Sequence, residues 1–92
     1  MVYTVVQDDK GFIWIGTDAG LVRYDGTHFK VFTTTDGLPD NEVLGLHFDK
    51  KTNRMWIITY CKQACYYRDG RFYNVQNDSS LRIKKATIPI IA

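Results

Sequence analysis

The chain has 92 residues, with 12 Lys and Arg against 10 Asp and Glu, so its formal net charge is only +2. Because the basic residues are scattered through polar turns rather than gathered on one face, the sequence does not favour nucleic-acid binding. No stretch approaches the roughly 18 apolar residues of a membrane-spanning helix, and the first residues lack the basic and apolar regions of a signal peptide. Expressed as given, the chain is therefore expected to remain in the cytoplasm.

The first 35 residues predict four short strands joined by polar turns. β-Branched and aromatic residues dominate the strands, whereas Asp, Lys and Gly dominate the turns. The predicted strands are residues 2–7, 12–17, 21–24 and 28–33. Asp25-Gly26 is predicted to form a two-residue type I′ hairpin turn, in which both central residues need a positive φ.

The same order of strands and turns returns in the second half of the chain. The predicted strands there are residues 43–48, 54–60, 66–67 and 72–75. Trp14 and Trp56 are 42 residues apart, and the Asp-Gly dipeptides at 25–26 and 69–70 are 44 residues apart. A period of this length with four strands per unit is typical of β-propeller blades, in which each sheet packs against its neighbours with both faces.

We therefore predict an all-β chain of two four-stranded antiparallel propeller blades, which is a partial propeller. The first blade covers residues 1–35, an interblade connection covers 36–42, and a second blade covers 43–76. Residues 77–92 are expected to form a tail that is either an incomplete third-blade strand or disordered. Propellers close with about 4–8 blades, so further blades or copies of the chain are expected to cover the exposed faces, which predicts a homo-oligomer.

The segment VVQDDKGFIWIGTDAGLVRYDGTHFKVFTTTDGLPDNEV, residues 5–43, resembles the two-component regulator propeller repeat. The motifs that carry the resemblance are Trp-Ile-Gly-Thr at 14–17, Arg-Tyr-Asp-Gly at 23–26 and Asp-Gly-Leu-Pro at 36–39. The second blade is degenerate, because Ile58 replaces the motif glycine and Arg68 is aligned with Tyr24. The resemblance covers roughly residues 2–75.

This repeat occurs in the extracytoplasmic sensor region of bacterial hybrid histidine kinases. The resemblance implies a non-catalytic fragment of a ligand-sensing propeller, located in the periplasm, whose complete parent binds an oligosaccharide. Contact with the membrane is implied only through a downstream segment that this chain does not include. The alternative is a propeller that serves as a protein interaction scaffold and has no small-molecule ligand.

Ligand candidates are expected on the longer connections, because function tends to reside on loops held by a rigid scaffold. In a four-stranded meander, the connections after the second and fourth strands share one rim, opposite the short hairpin turns. The ligand candidates on this rim are Asp18, Asp36, Asn41, Tyr60 and Tyr66.

Other conspicuous residues are assigned structural roles. Trp14 and Trp56 lie in the middle of apolar strands, which favours packing between blades over a sugar-stacking platform. Gly11, Gly26 and Gly70 are expected to serve turns. The sequence shows no catalytic set and no ligand spacing for a metal around its histidines, so neither an enzymatic activity nor a cofactor is expected.

The two cysteines, Cys61 and Cys65, flank a three-residue segment in one of the longer connections. Free thiols are the favoured state. A disulfide across so small a loop stabilises by about 2 kcal/mol or less and requires an oxidising compartment. A lone pair of cysteines lacks the further ligands of a zinc site. The sequence does not decide between free thiols and a disulfide.

Overall fold

The computed structural model describes residues 1–61, 63–74, 77–78 and 81. These residues form two four-stranded antiparallel sheets, each a simple meander, so the predicted all-β fold of two blade-like sheets is confirmed. The first sheet consists of β1 (Val2–Gln7), β2 (Ile13–Thr17), β3 (Gly20–Tyr24) and β4 (Phe29–Phe32). The second sheet consists of β5 (Val43–Asp49), β6 (Arg54–Thr59), β7 (Cys65–Arg68) and β8 (Arg71–Asn74). In the described part of the chain, no helix has the length and apolarity needed to span a membrane.

Some predicted features fall outside the described residues. The predicted end of the last strand at Val75 and most of the predicted tail, residues 77–92, are among them. Leu81 is described, and it packs on the second sheet beside Trp56 and Tyr66.

The sequence analysis missed a short 3-10 helix at Thr34–Asp36 in the connection between the sheets. The Thr33 side chain accepts a hydrogen bond from the Thr35 backbone N–H, while Asp36 Oδ2 accepts one from the Thr33 backbone N–H. This reciprocal capping box satisfies backbone groups that a short helix leaves unpaired. The connection is therefore an ordered loop.

The Asp69-Gly70 turn joins β7 to β8 as a two-residue hairpin. Arg68 pairs directly with Arg71, and the two turn residues have φ values of 51° and 85°. Both values lie in the region that a type I′ turn requires. This turn accordingly has the geometry that an Asp-Gly dipeptide favours.

The prediction of the same turn at Asp25-Gly26 is wrong. Only Gly26 has a positive φ, of 103°, and the paired strand ends leave four residues, 25–28, in the turn. Asp25 Oδ1 accepts hydrogen bonds from the backbone N–H groups of Thr27, at 2.8 Å, and His28, at 2.7 Å. These bonds, that of His28 first, hold the pKa of Asp25 below its usual value. The carboxylate therefore caps a longer turn than the dipeptide alone indicated.

The pairing register also corrects the alignment of the two sheets. Ile13 pairs with Tyr24 in the first sheet, and Met55 pairs with Tyr67 in the second. Tyr67, and not Arg68, is therefore the counterpart of Tyr24. Four residues separate Tyr24 from Phe29 and Tyr67 from Phe72, but the Asp-Gly dipeptide begins one position later in the second hairpin. Aligning the sequences on this dipeptide therefore placed Arg68, instead of Tyr67, opposite Tyr24.

The core lies between the two sheets. In the first sheet, register places Trp14 beside Arg23 on the face that meets the second sheet. Trp14 is only 1% exposed, and full burial of a large apolar side chain contributes roughly 1.5–3 kcal/mol. The buried residues of this core are Trp14, Leu21, Phe32, Leu38, Val43, Leu46, Met55, Ile57, Cys65 and Phe72.

Gly16 allows the two sheets to approach each other. A Cβ added at this position would lie 2.8 Å from both Cγ1 and the carbonyl oxygen of Val43, and 2.7 Å from Cγ2 of Thr4. These distances are too short for any side chain. In the second sheet the corresponding residue is Ile58, which packs instead against the cluster of Trp56 on the opposite face of that sheet.

Replacing Gly16 with alanine is expected to lower the free energy of unfolding by about 1–3 kcal/mol, because overpacking a tight contact forces its surroundings to shift. Denaturant titration followed by tryptophan fluorescence measures this loss. Val43→Ala is the matched control, since it removes one of the atoms that the new methyl group would meet. The double variant is then expected to lose less than the two single losses combined. Strictly additive losses would contradict the contact.

Candidate functional site

The antiparallel strands place the connections of the chain at two opposite rims. The loop rim, as we name it, carries residues 18–19, 33–42, 60–61 and 63–64. The turn rim carries the hairpin turns at residues 8–12, 25–28, 50–53 and 69–70. Both rims have a depression between the sheets.

Asp36 and Asn41, two of the predicted ligand candidates, hold the loop rim together. Asp36 closes the capping box described above, and Asn41 Oδ1 accepts a hydrogen bond of 2.9 Å from the backbone N–H of Thr34. Each residue thus gives one oxygen to the local structure of the connection. The sequence marked them because Asp and Asn are frequent in loops, and the same chemistry makes them frequent caps.

The other three candidates lie apart. Asp18 is exposed and accepts a hydrogen bond from the N-terminal amino group of Met1, at 3.1 Å. Tyr60 is 67% exposed at the start of the connection after β6. Tyr66, in contrast, is only 5% exposed, and it lies on the outer face of the second sheet with Trp56. The structure therefore does not bring Tyr66 to the loop rim.

The contacts of Tyr66 indicate a structural role. Its hydroxyl donates a hydrogen bond of 2.8 Å to Asp78 Oδ2, and its ring contacts Trp56 and Tyr73 with centroid distances of 5.0 and 4.9 Å. Burial, followed by the hydrogen bond to Asp78, raises the pKa of Tyr66. These contacts join the segment after β8 to the second sheet.

A depression of about 520 Å³ opens at the loop rim. Asn74 forms part of its wall, where its side-chain amide donates a hydrogen bond of 3.0 Å to the carbonyl oxygen of Gly37. Of the sequence-predicted candidates, only Asp36 lines this depression. The lining residues are Thr34, Thr35, Asp36, Gly37, Leu38, Pro39, Gln63 and Asn74.

Sequence reasoning missed Gln63 and Asn74. Gln63 follows Cys61 in the connection where the second sheet departs from the repeat, and that departure was the available signal. Asn74 is the last residue of β8. It reaches the depression only because the second sheet packs beside the connection from the first, which no local pattern in the sequence reveals.

A second depression, a cleft of about 170 Å³, lies at the turn rim. The Arg23 guanidinium occupies its wall and donates a hydrogen bond of 2.9 Å from Nη1 to the Tyr67 hydroxyl on the other sheet. The guanidinium also lies over the rings of Phe12 and Trp14, at 5.1 and 5.6 Å from their centroids. Arg23 therefore joins the sheets through a charge-assisted hydrogen bond and cation–π contacts.

Asp8 fixes the edge of the same cleft. Its Oδ1 accepts hydrogen bonds from the backbone N–H groups of Lys10 and Phe12, at 2.9 and 3.0 Å, and its Oδ2 accepts one of 2.9 Å from the Trp14 indole. The bonds of Asp8 thus hold the first turn and Trp14 within the first sheet, whereas the bond from Arg23 to Tyr67 joins the two sheets. The loop rim is the better candidate for a ligand.

In the part of the chain that the structure describes, the second sheet has no equivalent of the indole bond. Trp56 Nε1 is buried and has no hydrogen-bond partner within the described residues. Asp49, at the start of the corresponding turn, accepts a hydrogen bond of 3.1 Å from the backbone N–H of Lys51. In the turn between β5 and β6, the Asp49 carboxylate therefore accepts a backbone hydrogen bond, as Asp8 does in the first turn, but it does not accept one from the tryptophan indole.

Both cysteines are free thiols, with Cys61 exposed and Cys65 buried. Burial, with a smaller effect of Cys61, raises the pKa of Cys65 from 9.0 to about 12. Cys65 packs in the core between the sheets beside Ile57 and Leu46. Its thiol therefore stays protonated at neutral pH, where only the thiolate would be reactive. Over the part of the chain that the structure describes, no three His, Cys, Asp or Glu side chains are grouped closely enough to hold a metal ion.

Two packed four-stranded meanders define the chain as a partial propeller. The model of a family described as the two component regulator propeller matches residues 1–19, which comprise β1, the first turn and β2. The resemblance drawn from the sequence is confirmed over these residues, and that family is a non-catalytic repeat type. Neither the curated proteins nor the solved structures contained a match to the chain.

Asp8→Ala tests the bond to the Trp14 indole, with Asp49→Ala as its matched control in the second sheet. Asp8→Ala removes the acceptor of the Lys10 and Phe12 amides, and Asp49→Ala removes the acceptor of the Lys51 amide. Within the described residues, only Asp8→Ala also removes an indole acceptor. Because an unpaired buried donor is costly, Asp8→Ala is expected to lower the free energy of unfolding by about 1–3 kcal/mol more than Asp49→Ala. Equal losses in denaturant titrations would refute a stabilising role for the indole bond.

Alkaline pH is expected to destabilise the fold through Cys65. The unfolded thiol loses its proton near pH 9, whereas the folded thiol keeps its proton until about pH 12. The stabilisation is therefore complete below pH 9 and is lost as the pH rises from 9 towards 12, by about 1.4 kcal/mol per pH unit. Urea titrations between about pH 8 and 10.5 measure this slope. Cys65→Ala is the control, and parallel pH profiles for the two proteins would contradict the assignment.

Proposed function

We propose that the chain is a non-catalytic blade pair from a ligand-sensing propeller of a two-component signalling protein. In its complete form this propeller would lie in the periplasm and transmit ligand binding to a histidine kinase. The family match over residues 1–19 and the two packed meanders support the propeller assignment. The sensing role rests on the loop rim.

The observation that carries the proposal is the chemistry of the loop-rim depression. Threonine hydroxyls and the amides of Gln63 and Asn74 surround it, and Asp36 is the single charged side chain among the described residues that line it. Such a lining offers many neutral donors and acceptors and little net charge. It suits a neutral, hydroxyl-rich ligand such as an oligosaccharide better than a phosphate or a peptide terminus.

The alternative function, a protein interaction scaffold without a small-molecule ligand, is favoured by the exposed apolar face of the first sheet. The outer face of the first sheet exposes apolar side chains, among them Phe29 at 67% and Val31 at 56%. Exposed apolar patches mark protein contacts. This face lies away from the loop rim, so ligand binding and protein contact are separable.

The test of the sensing role is a titration of the ¹⁵N-labelled chain with unbranched neutral oligosaccharides of glucose, xylose and galactose. Amide resonances of residues 34–37 and of Gln63 are expected to shift, because these residues line the depression. Gln63→Ala is expected to weaken binding by about two- to tenfold, the effect of one neutral hydrogen bond. Gln63 is exposed, so this variant is expected to keep the fold.

Lys10→Ala is the matched control, since Lys10 is an exposed residue of the opposite rim and its side chain lies at the other depression. Its affinity should equal that of the unmodified chain. Shifts confined to the turn rim would refute the assignment of the loop rim. Failure of every oligosaccharide to shift any amide would leave the interaction scaffold as the better reading of the chain.

A further inference from the structure

The outer face of the first sheet, directed away from the second sheet, is a continuous apolar surface that we call the open face. It consists of Val5, Ile13, Ile15, Val22, Tyr24, Phe29 and Val31. The pairing register places Val5, Ile15, Val22 and Val31 in one row across all four strands. Ile13, Tyr24 and Phe29 form the next row. None of these side chains carries a charge at neutral pH.

The corresponding face of the second sheet is covered by the first sheet. The counterparts of Tyr24 and Phe29 are Tyr67 and Phe72, which pack edge to face in the core, and Phe72 is only 6% exposed. In the open face, by contrast, Phe29 is 67% exposed. Tyr24 and Phe29 nevertheless stack at a centroid distance of 4.4 Å. The aromatic pair is therefore already ordered for a partner, which lowers the entropy lost on binding.

The other outer face of the molecule does not offer an equivalent surface. On the second sheet, Trp56 is 7% exposed and Tyr66 is 5% exposed, and Leu81 and Ala64 pack against them. A head-to-tail contact between the open face of one copy and this cluster of another would have to displace Leu81. The open face is thus left without a complementary face elsewhere on the described surface.

We propose that the open face binds the open face of a second copy of this chain, related by a twofold axis. A twofold contact brings each residue near its own neighbours, so it is favourable only for a patch without like charges. The open face meets this requirement, because the cations of β3 and β4, Arg23 and Lys30, pair side by side on the opposite face of the sheet. Two apolar sheets then pack face to face at the usual distance of about 10 Å.

The size of the open face predicts a weak dimer. Four strands about 4.8 Å apart and about five residues long give a patch of roughly 300 Å² per copy. This value is well below the standard size of about 800 Å² per partner and falls among weak, transient contacts. We therefore expect a dissociation constant on the order of 100 μM, with fast exchange between monomer and dimer.

Sedimentation of the full chain from about 10 μM to 1 mM tests the proposal, in a range that brackets the expected constant. The average mass is expected to rise from that of the monomer towards that of the dimer. Val31→Glu places a charge on the open face and is expected to weaken association at least tenfold. Tyr60→Glu is the matched control, because Tyr60, at 67% exposure against 56% for Val31, is also exposed but belongs to the loop rim. This variant should associate like the unmodified chain. Thermal melts of both variants check that they remain folded.

Isotope-filtered NOE spectra of mixed labelled and unlabelled chains identify the surfaces in contact. Intermolecular contacts among the methyl groups of Val5, Ile15, Val22 and Val31 are the expected result. Contacts between these methyl groups and Trp56 of the other copy would overturn the twofold arrangement in favour of head-to-tail assembly. A chain that stays monomeric throughout the concentration range would overturn the proposal as a whole. Neither result bears on oligosaccharide binding at the loop rim.

Discussion

The contact between Gly16 and Val43 sets the distance between the two sheets. A β-sheet that is apolar on both faces is stable only where another layer covers it, and the cover must come close enough to exclude water and voids. The missing side chain of Gly16 lets the first residue of β5 lie against β2. The second sheet then enters beside the first with Leu46 and Ile57 directed into the shared core. A larger residue at position 16 would move the whole second sheet away.

A polar contact at the turn rim fixes the orientation of the second sheet relative to the first. Dispersion and hydrophobic burial have little directionality, whereas the bond from Arg23 to Tyr67 has a defined geometry and joins the two sheets. The bond from Trp14 to Asp8 holds the indole in place within the first sheet. At the opposite rim the connection of residues 33–42 is ordered by its own caps, and it leaves a depression with amide and hydroxyl groups around it. The division between a structural rim and a candidate ligand rim follows from where these bonds are made.

The fold could be predicted because its signals are local. Strand composition, polar turns and the 42-residue step from Trp14 to Trp56 all reside within single repeats. The turn at Asp25 could not be predicted from its dipeptide, because two further backbone amides, those of Thr27 and His28, decide its length. The candidate site was more difficult to predict from the sequence than the fold. A position in a loop indicates that a residue lies near the rim. Only tertiary packing decides whether that residue caps the loop, as Asn41 does, or lines a depression.

The departures of the second sheet from the repeat have one physical cause in common. Where the first sheet has Gly16, which accommodates a neighbouring strand, the second has Ile58, which fills a cluster covered by Leu81. Arg23, which pairs with Trp14 in the first sheet, is bonded to Tyr67 of the second sheet. The residue that pairs with Trp56 in the second sheet is Tyr66, and its hydroxyl donates a hydrogen bond to Asp78 from the segment after β8. Both replacements suit a face covered by the chain itself rather than by another four-stranded sheet. The first sheet has no such replacement on its open face, whose Tyr24 and Phe29 keep the aromatic types of their buried counterparts Tyr67 and Phe72. One outer face is thus covered by Ala64 and Leu81 of the same chain, whereas the open face exposes Phe29 and Val31 on the described surface.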